Sequence, residues 1–327
     1  LVTAIGGPTG YGVVKCLEKI ENINLVGVDS DINCPIKKQV NHFEIVPKIY
    51  ENGYIEKIEK IIQRRKINVI IPTLQEELKM FSQIKNCKVI TSNLACLDKS
   101  YAYEMLKEGG TKKYIPLNVK CNSKTKMLEK LKSIGFPDED ICFKPDNSHG
   151  GIGYKKITTK ERYTKNIFKN KDIGVPFENF KNSITNEINL KDFTFLEYLP
   201  GEEYSVDIFN YNNFFVAVPR KRLRVSTGIV IKGEVFYDSS LIKASKEIVE
   251  KLNLNLFCNI QFKKNKYGEL KLIDINPRFC GSQVMSFGAG VNFPLLCING
   301  VLNNKLEIPN IKWGTKMIRY WECDFYK

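Results

Sequence analysis

Histidine is nearly missing from this sequence: His42 and His149 are the two it has. So few imidazoles leave a histidine-built zinc cage or a histidine-centred triad without its parts. The ten cysteines form no C-x-x-C pair, so the usual spacing of a zinc ribbon or dithiol site is absent. Several, such as Cys142 and Cys258, fall inside apolar strands and read as buried, reduced thiols of a cytosolic protein. No apolar run reaches membrane-spanning length, and the first residues read as a strand rather than a cleavable signal. A cytoplasmic protein without a membrane partner is expected. Blocks of like charge and RNP-type aromatic motifs are lacking too, although the net charge is +14 and the pI about 9.2. The scattered lysines favour a solvated surface over a nucleic-acid groove, which would bind with a steep salt dependence. A basic cleft would still draw in anionic small molecules.

What is present is a chain of 327 residues, long enough for two or three subdomains around a sizeable core. Its most informative stretch runs from Phe257 to Phe293. Apolar residues alternate through Phe257–Phe262 and again through Leu270–Ile275, with Tyr267-Gly268 between them, which predicts a hairpin. Gln261 then lies on one strand, and Asp274 and Asn276 share a face of the other. One carboxylate and two carboxamides suit a hard cation such as Mg²⁺, which completes its shell with water and nucleotide phosphates. Arg278, two residues on, offers a fixed positive charge for a phosphoryl group. An isolated Asp-Ile-Asn-Pro-Arg could simply end a strand; four convergent polar groups favour the site.

From the start of the chain, Leu1–Ile5 predicts an apolar strand, followed by glycines at 6, 7, 10 and 12 and a helix burying Val13, Val14, Leu17 and Ile20. A second strand over Asn24–Val28 ends at Asp29. This outline is Rossmann-like, but the spacing departs from G-x-G-x-x-G, so a structural turn or substrate anion site is favoured over a dinucleotide site. Glu76 and Glu77 follow the strand Ile67–Ile71 and either touch substrate or complement a helix dipole. Asp98 is placed to cap the helix that begins at Lys99.

Further on, the strand Ile141–Lys144 enters a glycine-rich turn with Gly150, Gly151 and Gly153. Such glycines let backbone N–H groups approach phosphate oxygens, and Lys144 can place its ammonium among them. A strand then delivers Glu197, Tyr198 and Leu199 to a Pro-Gly turn, with Glu203 opening the next strand. A hinge of this kind offers backbone groups to an adenine edge and an acid to ribose. Asp207 is expected to face substrate. Arg220, Arg222 and Arg224 alternate at period two, which puts all three on one face as a substrate carboxylate site, with edge-strand solubility as the alternative.

Gln261, the run Ile273–Arg278 and the glycine-rich Gly281–Asn292 resemble the metal-binding core of the ATP-grasp superfamily, most closely its carbamoyl-phosphate-synthase-like carboxylate–amine ligases. The resemblance implies an α/β chain: a Rossmann-like parallel-sheet domain (1–97), a small ATP-grasp lobe with the phosphate flap (98–192) and a C-terminal lobe with the metal hairpin (193–327). It implies ATP with Mg²⁺ or Mn²⁺ as cofactors, the metal on Gln261, Asp274 and Asn276, and phosphate contact by Arg278, Lys144 and Lys99, with Lys107 a substitute for Lys99. Glu197–Leu199 would hold adenine and Glu203 ribose. The implied chemistry is phosphorylation of a substrate carboxylate, then attack by an amine to give an amide or peptide bond. Two departures stand out. Asp274 replaces the family's frequent Glu, one methylene longer, and Asn147-Ser148-His149 replaces a run of glycine or serine. A nucleotide-binding regulatory protein without turnover and an NAD-dependent oxidoreductase are competing readings. Neither the substrate pair nor a homodimer is fixed by the sequence.

Overall fold

The chain begins by threading its first residues between two parallel strands. In the computed structural model, which describes all residues except 147–152, 170–172, 186, 227, 321, 324 and 326–327, Val2 bridges in parallel to Gly27 and to Ile71. The segment leads into α1 (Pro8–Leu17), β1 (Val26–Asp29), β2 (His42–Ile45), α2 (Tyr54–Arg65), β3 (Val69–Ile70), α3 (Gln75–Phe81) and β4 (Lys88–Val89). Both β1 with β2 and β3 with β4 run parallel, as the Rossmann-like expectation requires. Helix α2 buries Tyr54, Ile58, Ile61 and Ile62 on one face, each worth about 1.5–3 kcal/mol if fully withdrawn from water.

Two details differ from the sequence reading. The expected strand Leu1–Ile5 curls after Thr3, because Ala4 adopts a left-handed φ of 40°. The expected glycine turn is also shorter: α1 starts at Pro8, so Gly10 and Gly12 are helical. Gly10 is there for close packing, since a Cβ would lie 2.3 Å from the Ala4 carbonyl oxygen.

The chain continues through α4 (Lys99–Leu106), β5 (Asn118–Lys120), α5 (Met127–Lys132), β6 (Ile141–Pro145), β7 (Lys155–Thr158), α6 (Lys160–Asn166), β8 (Val175–Pro176), α7 (Phe177–Ser183) and β9 (Phe193–Glu197). These strands form a sheet of order β5-β9-β6-β7-β8. Its core packs Met127, Leu131, Ile141, Ile157 and Phe195, with Phe143 and Phe180 tilted together at 4.7 Å.

The remaining elements are β10 (Glu203–Tyr211), β11 (Phe214–Ser226), β12 (Ile229–Val235), α8 (Ser239–Lys251), β13 (Leu256–Lys264), β14 (Leu270–Asn276), α9 (Val284–Gly288), α10 (Phe293–Val301) and β15 (Lys316–Ile318). Their sheet has the order β14-β13-β10-β11-β12-β15. The predicted hairpin is β13–β14, turning at Gly268 with φ 80°. By compactness the chain divides into one unit of 1–96, 204–261 and 274–327 and another of 97–203 and 262–273. Among the described residues no helix is long and apolar enough to cross a membrane. All ten cysteines are free thiols, as expected, and burial pushes the Cys142 thiol up to about 11.

Glu77 resolves one of the alternatives. It is fully buried, and its Oε2 accepts from Thr3 Oγ1 (2.6 Å) and from the backbone N–H groups of Thr73 and Leu74 (3.0 Å each). Tyr54 donates to its other oxygen. It therefore caps α3 and ties that helix to Thr3, the reading in which the acid serves the helix N-terminus rather than a substrate. Glu77→Ala should lower the free energy of urea unfolding by about 3 kcal/mol, because it removes the acceptor shared by four donors, of which Thr73 N–H and Thr3 Oγ1 keep a second partner. A change below about 0.5 kcal/mol would contradict this role.

Candidate functional site

Neighbouring strands of the large sheet contribute one connected set of polar side chains. Ser205 on β10 is directly opposite Arg220 on β11, and Asp207 is two residues further along the same face. Arg220 donates to Asp207 Oδ1 at 2.6 Å, to Ser205 Oγ at 3.1 Å and to the Ser282 carbonyl at 2.7 Å. Asp207 also accepts from Asn259 (2.8 Å) and Ser286 (2.6 Å). Both charges are fully buried, with side-chain exposures of 1% and 0%. The Asp207 charge counters the desolvation of Arg220, whose pKa is raised overall despite its burial.

This corrects the expected triple-arginine face. Arg220 points into the interior, Arg222 is half-buried and donates to the Gly228 carbonyl at 3.3 Å, and Arg224 is exposed. The physical reason is a bulge: the β11–β12 register slips between Arg222 and Arg224, so strict alternation ends there. Asp207, expected to meet substrate, is likewise committed to the internal ion pair.

The metal-ligand candidates sit at the β14 edge of the same sheet. Asn276 turns its Nδ2 to Asp274 Oδ2 at 3.1 Å, and Gln261 turns its Nε2 to Asn259 Oδ1 at 3.4 Å. Each amide thus directs its nitrogen to a protein acceptor, so the oxygen is the end turned away. Asn259, missed in the sequence reading, links Gln261 to Asp207; its position two residues before Gln261 on the same strand was the available signal. Among the described residues no group of three or more His, Cys, Asp or Glu could hold a metal. One carboxylate with two amide oxygens fits Mg²⁺ only as a partial shell, to be completed by phosphate and water. Arg278 leans on the Phe279 carbonyl at 2.9 Å, and its buried Nε has no hydrogen-bond partner among the described residues. Burial lowers its pKa, with Cys280, Asp274 and Glu76 opposing.

In the other unit, Lys144 donates to the Ile273 carbonyl. Gly153 needs its φ of 75° and abuts Pro145, where a Cβ would come within 2.7 Å of the ring. The flap glycines Gly150 and Gly151 lie outside the described residues. Lys99 opens α4 as a buried side chain, and Asp98 caps that helix through Ser100 N–H (2.8 Å) and Tyr101 N–H (3.2 Å). Lys107 pairs instead with Glu104 at 2.5 Å on the surface. The hinge holds a feature the sequence reading missed: the Tyr198 ring lies under Lys156 (4.8 Å) and Lys263 (5.5 Å). No local spacing announces it, because the three residues come from separate strands or their ends. Glu197 accepts the Leu117 N–H at 2.8 Å, Leu199 is buried, and Glu203 starts β10 half-buried. At the N-terminal turn, both Asp29 oxygens take backbone N–H groups, of Gly6 (2.8 Å) and Asp31 (3.0 Å). An acid so engaged braces the turn, which favours the structural reading over a ribose contact.

Residues 189–321 match the family model described as ATP-grasp in the biosynthetic pathway with Ter operon, and residues 1–90 match the PylC-like N-terminal domain. No curated protein matches the chain. Among solved structures, N5-carboxyaminoimidazole synthetase from Staphylococcus aureus complexed with ADP is similar at TM-score 0.68 and 15% identity, over 95% of this chain and 79% of that one. Biotin carboxylase from Campylobacter jejuni, in a β-γ-ATP complex, is similar at 0.69 and 12%, over 95% and 73%. The biotin carboxylase domain dimer of Hydrogenobacter thermophilus 2-oxoglutarate carboxylase, with MgADP, ADP and bicarbonate, is similar at 0.70 and 14%, over 96% and 72%.

Arg220→Met should destabilise the protein by about 3–5 kcal/mol in urea unfolding, since Asp207 is left charged and buried. The double variant Arg220→Met/Asp207→Leu should recover most of that loss. Equal losses in single and double variants would show that the pair is not the source.

Proposed function

Since this chain has the ATP-grasp fold, we propose that it is an ATP-dependent carboxylate–amine ligase releasing ADP and phosphate. The observation that carries the reading is the hairpin edge: Asp274 and the amides of Asn276 and Gln261 are oriented by hydrogen bonds, beside an Arg278 whose Nε has no partner among the described residues. The family-model match over 189–321 includes all four residues and supports it.

In this reading Glu197, Tyr198 and Leu199 hold adenine, with the Lys156 and Lys263 ammonium groups keeping the Tyr198 ring in place. Glu203 binds ribose, and Lys99, Lys144 and the flap at Gly150, Gly151 and Gly153 take the phosphates. Gln261, Asp274 and Asn276 would hold Mg²⁺, which when bound supplies positive charge to the polyphosphate. A carboxylate oxygen of the substrate attacks the γ-phosphorus and ADP departs. Arg278, fixed and poorly solvated, stabilises the charge on the transferring phosphoryl group without reorganising. An amine then attacks the acyl carbon, phosphate leaves and the amine gives up a proton, forming the amide. Exclusion of water would preserve the acyl phosphate between the two steps. The assigned divisions are 1–97 for substrate, 98–192 for the flap lobe and 193–327 for the metal lobe. The free thiols support a cytoplasmic setting.

The test is phosphate release from MgATP with pooled carboxylic acids and amines. Release should require both pools and should fall at least about a hundredfold in Asp274→Ala. ATP binding without release stimulated by any pool would overturn the ligase reading, and absence of ATP binding would remove the nucleotide site itself.

A further inference from the structure

The loop that follows Arg278 has three of its carbonyls held by guanidinium groups. Arg278 itself takes Phe279 O at 2.9 Å, and Arg220 takes Ser282 O at 2.7 Å. The third, Gly281 O, accepts from Arg319. Arg319 comes from the aromatic and basic tail, just past β15, where the sequence offered no motif.

Arg319 is itself firmly set. Its backbone N–H donates to Ile231 O at 2.8 Å, and its Nε donates to Val230 O at 3.1 Å. Both acceptors are on β12, so backbone and side chain are anchored to one strand, and the terminal amino group is the part that reaches across. On another side of the loop, a Cβ at Gly281 would lie 3.1 Å from Pro8 Cβ, the first residue of α1. Gly281 is therefore wedged between the start of α1 and the tip of Arg319. Beside it, Cys280 is packed against Arg220 at 3.4 Å and Asp207 at 3.5 Å.

We propose that Arg319 is a positioning residue: by clamping the Gly281 carbonyl to β12, it fixes the loop on which the Arg278 guanidinium rests. It acts through Gly281 and touches no reacting atom. The catalytic part of the inference rests on the ligase reading; the clamp itself does not. Losing the clamp should loosen Cys280 together with Gly281, because the two are adjacent in the loop. It should affect turnover more than nucleotide affinity, since the adenine, ribose and phosphate contacts assigned above lie on other segments.

Two readouts separate these parts. The first is the alkylation rate of Cys280 by iodoacetamide, followed by peptide mass spectrometry without nucleotide. The second is phosphate release from MgATP with the pooled acids and amines. Arg319→Met should raise Cys280 alkylation about tenfold or more and lower kcat about tenfold to a hundredfold, with KM for MgATP within about twofold of wild type. Arg319→Lys should restore part of both, and the exposed β15 variant Lys316→Met should change neither. A thermal melt run on each variant distinguishes loop loosening from global unfolding; Arg319→Lys decides if Arg319→Met does not fold. Wild-type alkylation in a folded Arg319→Met protein overturns the clamp, whatever the activity. Raised alkylation with unchanged kcat overturns the positioning role. If the wild-type protein itself releases no phosphate, the ligase reading fails while the alkylation still decides the clamp.

Discussion

The buried ion pair between Arg220 and Asp207 is the constraint around which the larger sheet is arranged. Two opposite charges with almost no solvent exposure are costly unless most of their remaining donors and acceptors are also met. Here Ser205, Asn259, Ser286 and the Ser282 carbonyl meet all but Arg220 Nε, which has no partner among the described residues, and they draw together β10, β11, β13, α9 and the loop before it. Because each partner must sit within hydrogen-bonding range, the pair specifies strand register as well as neutralising charge. A one-residue slip of β11 would turn Arg220 to the opposite face and leave Asp207 unpaired.

That constraint extends to the candidate metal edge through Asn259. Its amide gives Nδ2 to Asp207 and receives Gln261 at its oxygen, so a buried charge helps decide which end of the Gln261 amide is turned outward. Asn276 is oriented by a separate bond to Asp274 on its own strand. The three oxygen donors are thus oriented by protein hydrogen bonds, which lowers the entropic cost of gathering them around a cation. With a single carboxylate the proposed set would bind a bare cation weakly, and a metal brought with nucleotide phosphates would suit it better than a resident ion.

The elements with strong periodicity were legible in the sequence for direct reasons. The β13–β14 hairpin follows from apolar alternation on either side of Tyr267-Gly268. Asp98 as an N-cap was equally readable, since it depends on a few adjacent residues. The α1 boundary was not: Gly10 and Gly12 look like turn residues, yet they are helical because the helix must lie against Ala4 and Ile5. Glu77 could not be settled either, because its partners Thr3 and Tyr54 are 74 and 23 residues away.

The sequence by itself determined the oxygen-rich hairpin and the parallel N-terminal strands, because alternation, turn chemistry and short spacing act between neighbours along the chain. Tertiary structure alone decided which arginines face inward. The period-two run of Arg220, Arg222 and Arg224 predicted one surface, but a bulge broke the register and Asp207 captured Arg220 inside. The same holds for Lys156 and Lys263 at Tyr198, and for Arg319 at Gly281, 38 residues apart. A charge's partner is set by distance in space, and no local pattern encodes a contact that only the folded sheet creates.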